Sequence, residues 1–240
     1  MLWNVDDTLV DVARVARAAR AEAFAAVTGL PLVALPQFAG RTESEIFFEA
    51  VALNAAGADG RELLQAYFAR LAAAFAARSE QLTRNGRALP GALDAVMAVR
   101  GLGAVQSVLT GSTRANAVAK LAAFGLDRHL DLNIGGYGSD VYPKGAQLLE
   151  ILRRAAEKYR AGMPAAATVY IGDSARDAEA AELGGVRFIG VATGRSIPSE
   201  LRAAGADLVV DDLTDTAAVV EAIDRLTAGR ATAPRLDLGR

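Results

Sequence analysis

Leu2-Trp3-Asn4-Val5-Asp6-Asp7-Thr8-Leu9-Val10 runs a short apolar strand directly into two acids and a Thr. Three later stretches end in the same manner. Ala104–Leu109 leads into Thr110-Gly111-Ser112, Thr168–Ile171 into Gly172-Asp173-Ser174, and Arg187–Val191 into Ala192-Thr193-Gly194. Helical patterns follow at Arg114–Phe124, Ala175–Leu183 and Pro198–Ala204. Short buried strands alternating with helices predict βαβ units and an α/β fold around a parallel sheet. Ligands of such sheets bind beyond the carboxyl ends of the strands, where these polar residues fall.

Between the first two strands the pattern changes. Val12–Thr28, Glu43–Ala56 and Arg61–Ser79 read as successive helices, broken at Gly29-Leu30-Pro31, Pro36, Gly40 and 57–60. The segment is too long for a crossover and is expected to form an inserted all-α subdomain over residues 12–85. The α/β core then comprises 1–11 and 86–227, with a fraying tail at 228–240.

Composition narrows the function. The chain has 240 residues, 52% hydrophobic and 22% charged, as ordinary globular proteins do. A net charge of −2 gives no reason to expect a nucleic acid or an anionic membrane surface as partner. The absence of cysteine excludes disulfides, thiolate metal sites and Cys nucleophiles. No basic-then-apolar leader is visible, and no apolar run approaches the ~20 residues that span a bilayer, so a cytoplasmic protein is expected. Of 26 basic residues only Lys120, Lys144 and Lys158 are lysines, which gives weight to a Lys at a motif position.

Taken as chemistry, the strand-end residues suit a phosphate ester. Asp6, Asp173 and Asp177 offer hard oxygens of the kind Mg²⁺ prefers. Thr110 and Gly111, entering a helix, offer a hydroxyl and backbone N–H groups to an anion. Lys144, after Tyr142-Pro143, offers a point charge. Each signal alone is more simply capping, turn or surface chemistry; their order along the chain, each at a strand end, argues against coincidence.

The order Asn4-Val5-Asp6, Thr110, Lys144, Gly172-Asp173-Ser174-Ala175-Arg176-Asp177 resembles the four motifs of the haloacid dehalogenase (HAD) superfamily, most closely its phosphoglycolate-phosphatase-like branch. Gly40-Arg41-Thr42 resembles the segment by which that branch's helical cap faces the substrate. Gly190-Val191-Ala192-Thr193-Gly194 and Gly205-Ala206-Asp207 resemble the end of its core. The resemblance covers about residues 1–226 and implies a Rossmann-like core, a mobile cap, Mg²⁺ as cofactor and hydrolysis of a small phosphorylated metabolite. It makes position 4 the nucleophile and a metal ligand. Asp6 becomes the general acid and base, with its carbonyl on the metal. Thr110 and Gly111 bind the phosphoryl group, Lys144 offsets its charge, and Asp173 ligates the metal, with Asp177 a ligand or the partner of one. Arg41 would meet a substrate anion. Dehalogenases proper lack a metal and the second Asp, so Asp6 and the Asp173/Asp177 pair favour phosphate.

Two positions depart from the pattern. Asn4 stands where the nucleophilic Asp belongs, and a neutral amide is a far weaker attacker than a carboxylate. Asp7 stands where Gly is usual and sets an extra acid beside the expected phosphate. Asn4 admits three readings: an introduced substitution, a natural pseudoenzyme that binds a ligand or partner, or chemistry in which Asp6 or Asp7 activates water. His129, the single histidine, is expected to be structural, Trp3 to be core, and 135–140 to be a loop. The Ala-rich helices of the insert offer a surface on which two copies could form a homodimer.

Overall fold

The computed structural model describes residues 1–54, 57–140 and 144–228. Six strands form a parallel sheet in the order β5-β4-β1-β6-β7-β8. They are β1 (Leu2–Trp3), β4 (Ser107–Thr110), β5 (Gly136–Tyr137), β6 (Val169–Gly172), β7 (Arg187–Val191) and β8 (Leu208–Val210). The opening strand is central, pairing Leu2 with both Ser107 and Tyr170. The expected tail lies, apart from Ala228, outside the described residues.

Helices α5 (Ala92–Gly101), α6 (Arg114–Ala122), α7 (Lys144–Tyr159), α8 (Ala175–Gly184), α9 (Pro198–Ala203) and α10 (Thr216–Thr227) accompany the sheet. One apolar cluster joins Trp3, Val108 and Ile171 to α5 and α10; a second joins Leu109, Tyr170 and Phe188 to α7 and α8. With apolar residues meeting helices on both faces, the sheet needs near-continuous apolar strands, which explains why Val-Leu and Tyr-Ile runs rather than alternation mark them. Trp3 is fully buried, its indole N–H donating to Gln106 Oε1 at 3.0 Å.

The helical segment comprises α1 (Ala13–Thr28), α2 (Glu43–Asn54), α3 (Gly60–Ala76) and α4 (Ser79–Asn85). The chain leaves and returns through an antiparallel ribbon of β2 (Val10–Asp11) and β3 (Arg87–Ala88), with Val10 opposite Ala88. The third helix of the reading, expected to run to Ser79, is instead divided, α3 ending at Ala76 and α4 starting at Ser79. Small residues on α1 (Ala16, Ala19, Ala23) let it pack closely with Tyr67, Leu71, Ala74 and Phe75 of α3. Phe47 of α2 stacks on Tyr67 with centroids 4.1 Å apart.

Two strands of the six-stranded sheet, and both strands of the ribbon, escaped the sequence reading. β8 carries Leu208-Val209-Val210, only partly buried at the sheet edge. β5 lies in the Gly-rich stretch expected to be a loop. Glycine is needed there because the chain is crowded: a Cβ on Gly138 would lie 1.8 Å from the Gly111 carbonyl oxygen.

Leu71 is fully buried in the cluster shared by α1 and α3. Leu71→Ala is expected to cost about 2–5 kcal/mol, read as a lowered urea midpoint at unchanged slope.

Candidate active site

Three neighbouring strands, β4, β1 and β6, place Thr110, Asn4 and Asp173 side by side at one end of the sheet. Asn4 extends the ladder, its N–H donating to Ile171 O at 2.8 Å. Ser174 caps α8, its hydroxyl accepting from the Asp177 N–H while the Asp177 carboxylate accepts from the Ser174 N–H, a reciprocal capping box. Lys144 opens α7.

The Asn4 side chain, nearly buried, uses both ends of its amide. Nδ2 donates to the Asp6 carbonyl at 3.1 Å and to Asp173 Oδ1 at 2.8 Å. Oδ1 accepts from Lys144 Nζ at 3.3 Å. Lys144 also pairs with Asp177 Oδ1 at 2.5 Å. Asp177 is fully buried, and its oxygens further accept from Tyr170, the Ser174 hydroxyl and the Ser174 N–H. Burial alone would raise the Asp177 pKa; the Lys144 ammonium and these donors reverse that and lower it. Among the described residues no cation pairs with Asp173. Burial, Asp177 and Asp7 push its carboxyl up, against the weaker pull of Asn4 and the Thr8 hydroxyl, which donates at 2.9 Å.

Asp6 has a partner the sequence reading did not name. Lys120 Nζ, on α6, donates to both Asp6 oxygens at 2.7 Å, and Ser112 Oγ donates to Asp6 Oδ2 at 2.9 Å. Burial pushes the Asp6 carboxyl up, but Lys120, then Arg20 and Ser112, more than offset this and hold it ionised below its ordinary value. A sequence signal for Lys120 existed: Ala117 and Leu121 lie beside it on the buried face of α6. Asp7 sits in the left-handed region at φ 59, where Gly is easiest and Asp is tolerated. Its carboxyl is pushed up to about 6 by burial, Asp6 and Asp11, with Lys120 and Arg195 opposing.

The helical segment closes on these strand ends. A Cβ at Gly111 would fall 1.9 Å from the Arg41 carbonyl oxygen, so only glycine admits this approach. Glu43 N–H donates to Gly111 O at 2.8 Å, Ser44 Oγ donates to Gly138 O at 3.0 Å, and Arg176 pairs with Glu45 at 3.2 Å. Between segment and sheet lies a cleft of about 280 Å³. Asn4, Asp6, Thr110, Gly111, Lys144, Asp173 and Arg41 all line it, together with the unforeseen Arg17, Arg20, Ser112 and Arg195. Asp177 stands behind Lys144. The Arg41 guanidinium contacts Glu49, and Arg20 makes a two-point pair with Glu43 at 2.8 and 2.9 Å, which Tyr67 also bonds. The exposed Arg17 and Arg195 were not singled out in the sequence because nothing local distinguishes them from other surface arginines. His129 lies away from the cleft, beside Arg100 at 3.5 Å.

The Lys120–Asp6 pair is asymmetric: the Lys side chain is 1% exposed and the Asp side chain 38%. Asp6→Ala would leave a buried ammonium unpaired and cost about 3–5 kcal/mol. Lys120→Met leaves a carboxylate that water reaches, so its loss in urea unfolding should be clearly smaller. Equal losses would contradict the asymmetry.

A family model described as haloacid dehalogenase-like hydrolase matches residues 1–182. The probable phosphatase IndB of Dickeya dadantii (strain 3937) is 29% identical over 143 residues, 60% of this chain and 60% of that protein. The chain thus matches less than two thirds of that relative's length. The structure of a hydrolase from Pseudomonas syringae is similar with a TM-score of 0.64 at 23% identity, over 92% of this chain and 97% of that one. A predicted phosphoglycolate phosphatase from Haemophilus somnus 129PT gives 0.63 at 18%, over 91% and 96%. At these identities the structures establish the fold alone. Among the described residues no helix is long and apolar enough to cross a membrane. With its parallel sheet, its strand-end motifs and a family match over more than half its length, the chain belongs to the haloacid dehalogenase-like hydrolase family.

Proposed function

We propose that the cleft receives a small phosphorylated metabolite and that the chain carries the apparatus of a HAD phosphatase, impaired at the attacking residue. The observation that supports this most is the convergence of Thr110, Gly111 and Lys144 beside position 4. A phosphoryl group there would meet the Thr110 hydroxyl, the Gly111 N–H and the Lys144 ammonium. The relative named a probable phosphatase agrees with this reading. Helices α1–α4 act as the cap, and Arg17 and Arg195 supply positive charge toward a second anionic group of the ligand.

Asn4 is a poor attacker on phosphorus, because its nitrogen pair is delocalised into the carbonyl and its neutral oxygen is far less nucleophilic than a carboxylate. Asp6, held ionised by Lys120, would take a proton from an attacking water, and could protonate a leaving-group oxygen only after gaining that proton, while Asp7 turns its backbone carbonyl to the Thr193 hydroxyl at 2.6 Å.

The Mg²⁺ implied by the resemblance fits the residues present poorly. The Asp6 carbonyl and Asp173 Oδ1 are suitable hard oxygens, yet the group between them is the Asn4 NH₂, a donor. Asp177 is committed to Lys144, Tyr170 and Ser174. Among the described residues no group of three or more acidic, His or Cys side chains converges as a cation site. No chemical step is assigned to the ion in this chain. The same self-satisfied network favours a second reading, a ligand-binding module without turnover.

Hydrolysis of p-nitrophenyl phosphate and a panel of sugar and small-acid phosphates separates the two. Asn4→Asp is expected to gain Mg²⁺-dependent turnover of about 10³-fold or more over the unaltered chain. Turnover by neither protein, with a metabolite still bound tightly, would leave the binding module. Turnover by the unaltered chain that vanishes in Asp6→Asn would instead mean that Asp6 activates water directly.

A further inference from the structure

The orientation of the Asn4 amide is fixed by its neighbours. The Lys144 ammonium can only donate, so the atom 3.3 Å from it must be the amide oxygen. The Asp6 carbonyl can only accept, so the atom 3.1 Å from it must be the amide nitrogen. Turning the amide over would set NH₂ against the ammonium and its oxygen against both the Asp6 carbonyl and Asp173 Oδ1. One assignment satisfies all three contacts, and the reverse loses those to Lys144 and to the Asp6 carbonyl.

We propose that the Asn4 side-chain NH₂ does the bridging work of a divalent cation, tying the Asp6 carbonyl to Asp173, so that the cleft binds a phosphate group without a metal. This rests on the phosphate reading of the cleft given above and deepens it.

Spacing supports the assignment. The two contacts of the NH₂ group, 2.8 and 3.1 Å, are ordinary N–H···O lengths. Neighbouring donors hold this arrangement in place, Thr8 on Asp173 Oδ1 and Lys120 and Ser112 on the Asp6 side chain. Charge supports it too. Lys120 is matched to Asp6 and Lys144 to Asp177, which leaves Asp173 as the one carboxylate of the three without an ammonium. A dication is drawn far less strongly to one such carboxylate than to the two that an Asp at position 4 would supply. The anion then relies on the Lys144 ammonium, the Thr110 hydroxyl and the Gly111 N–H.

Two titrations on the intact chain test this. Mn²⁺, followed by electron paramagnetic resonance, should remain free in solution with the unaltered chain and become bound with Asn4→Asp. Orthophosphate, followed by calorimetry, should bind the unaltered chain equally with EDTA and with Mg²⁺. Stoichiometric Mn²⁺ binding by the unaltered chain would overturn the proposal. Phosphate binding that EDTA abolishes would also overturn it, while leaving the phosphate reading of the cleft intact. Failure of folded Asn4→Asp to bind Mn²⁺ would overturn it as well, because the amide would not be what excludes the ion. Absence of phosphate binding under either condition would end both readings.

Discussion

Lys144 is the cation on which the strand-end arrangement depends. Its ammonium sits between the Asn4 amide oxygen and the buried Asp177 carboxylate. Without it, Asp177 would be an uncompensated charge in the core, and burial would drive it toward protonation. With it, three elements are fixed together: β1 through Asn4, α7 through its first residue, and α8 through Asp177, which also caps its own helix. The amide of Asn4 passes this constraint on, since an oxygen held by Lys144 turns the NH₂ toward Asp6 and Asp173. The missing carboxylate is therefore replaced by a different and complete set of hydrogen bonds.

The cleft is the product of two close approaches of backbone. Gly111 and Gly138 have no side chains because the Arg41 carbonyl and the Gly111 carbonyl occupy that space. This lets α2 begin against the Thr110–Ser112 turn, where Glu43 and Ser44 bond to Gly111 and Gly138. Glu43 then carries the contact outward to Arg20 and Tyr67. Lys120 spans the same boundary from the other side, lying 5.4 Å from the Phe75 ring of α3 while holding Asp6. Helical segment and sheet thus share polar as well as apolar contacts around the site.

Much of this was legible along the chain because the signals are local. An apolar run ending at Asp, Thr or Gly marks a buried strand and its carboxyl end, and these ends carry Asn4, Thr110 and Asp173. Successive helical patterns broken by Gly and Pro, with no strand between them, pointed to a helical insertion. What escaped notice depends on long-range pairing. Lys120 reads as an ordinary helix lysine until its partner, far away in sequence, is known, although its place beside Ala117 and Leu121 pointed inward. Arg20 likewise needs Glu43. β5 was taken for a loop because glycine weakens a strand signal, and here glycine answers crowding rather than flexibility. Arg41 was chosen for its motif position; it lines the cleft, but its guanidinium contacts Glu49. Arg17 and Arg195 line the same cleft.

The Asn4 amide is the donor that bridges Asp6 and Asp173. Its side-chain ¹H–¹⁵N resonances, assigned by their loss in Asn4→Asp, report on this directly. Two distinct NH₂ protons are expected, shifted downfield, slow to exchange with water and unmoved by Mg²⁺. Rapid exchange, or shifts that follow added Mg²⁺, would show the amide free to turn its oxygen to a cation and would contradict that bridging role.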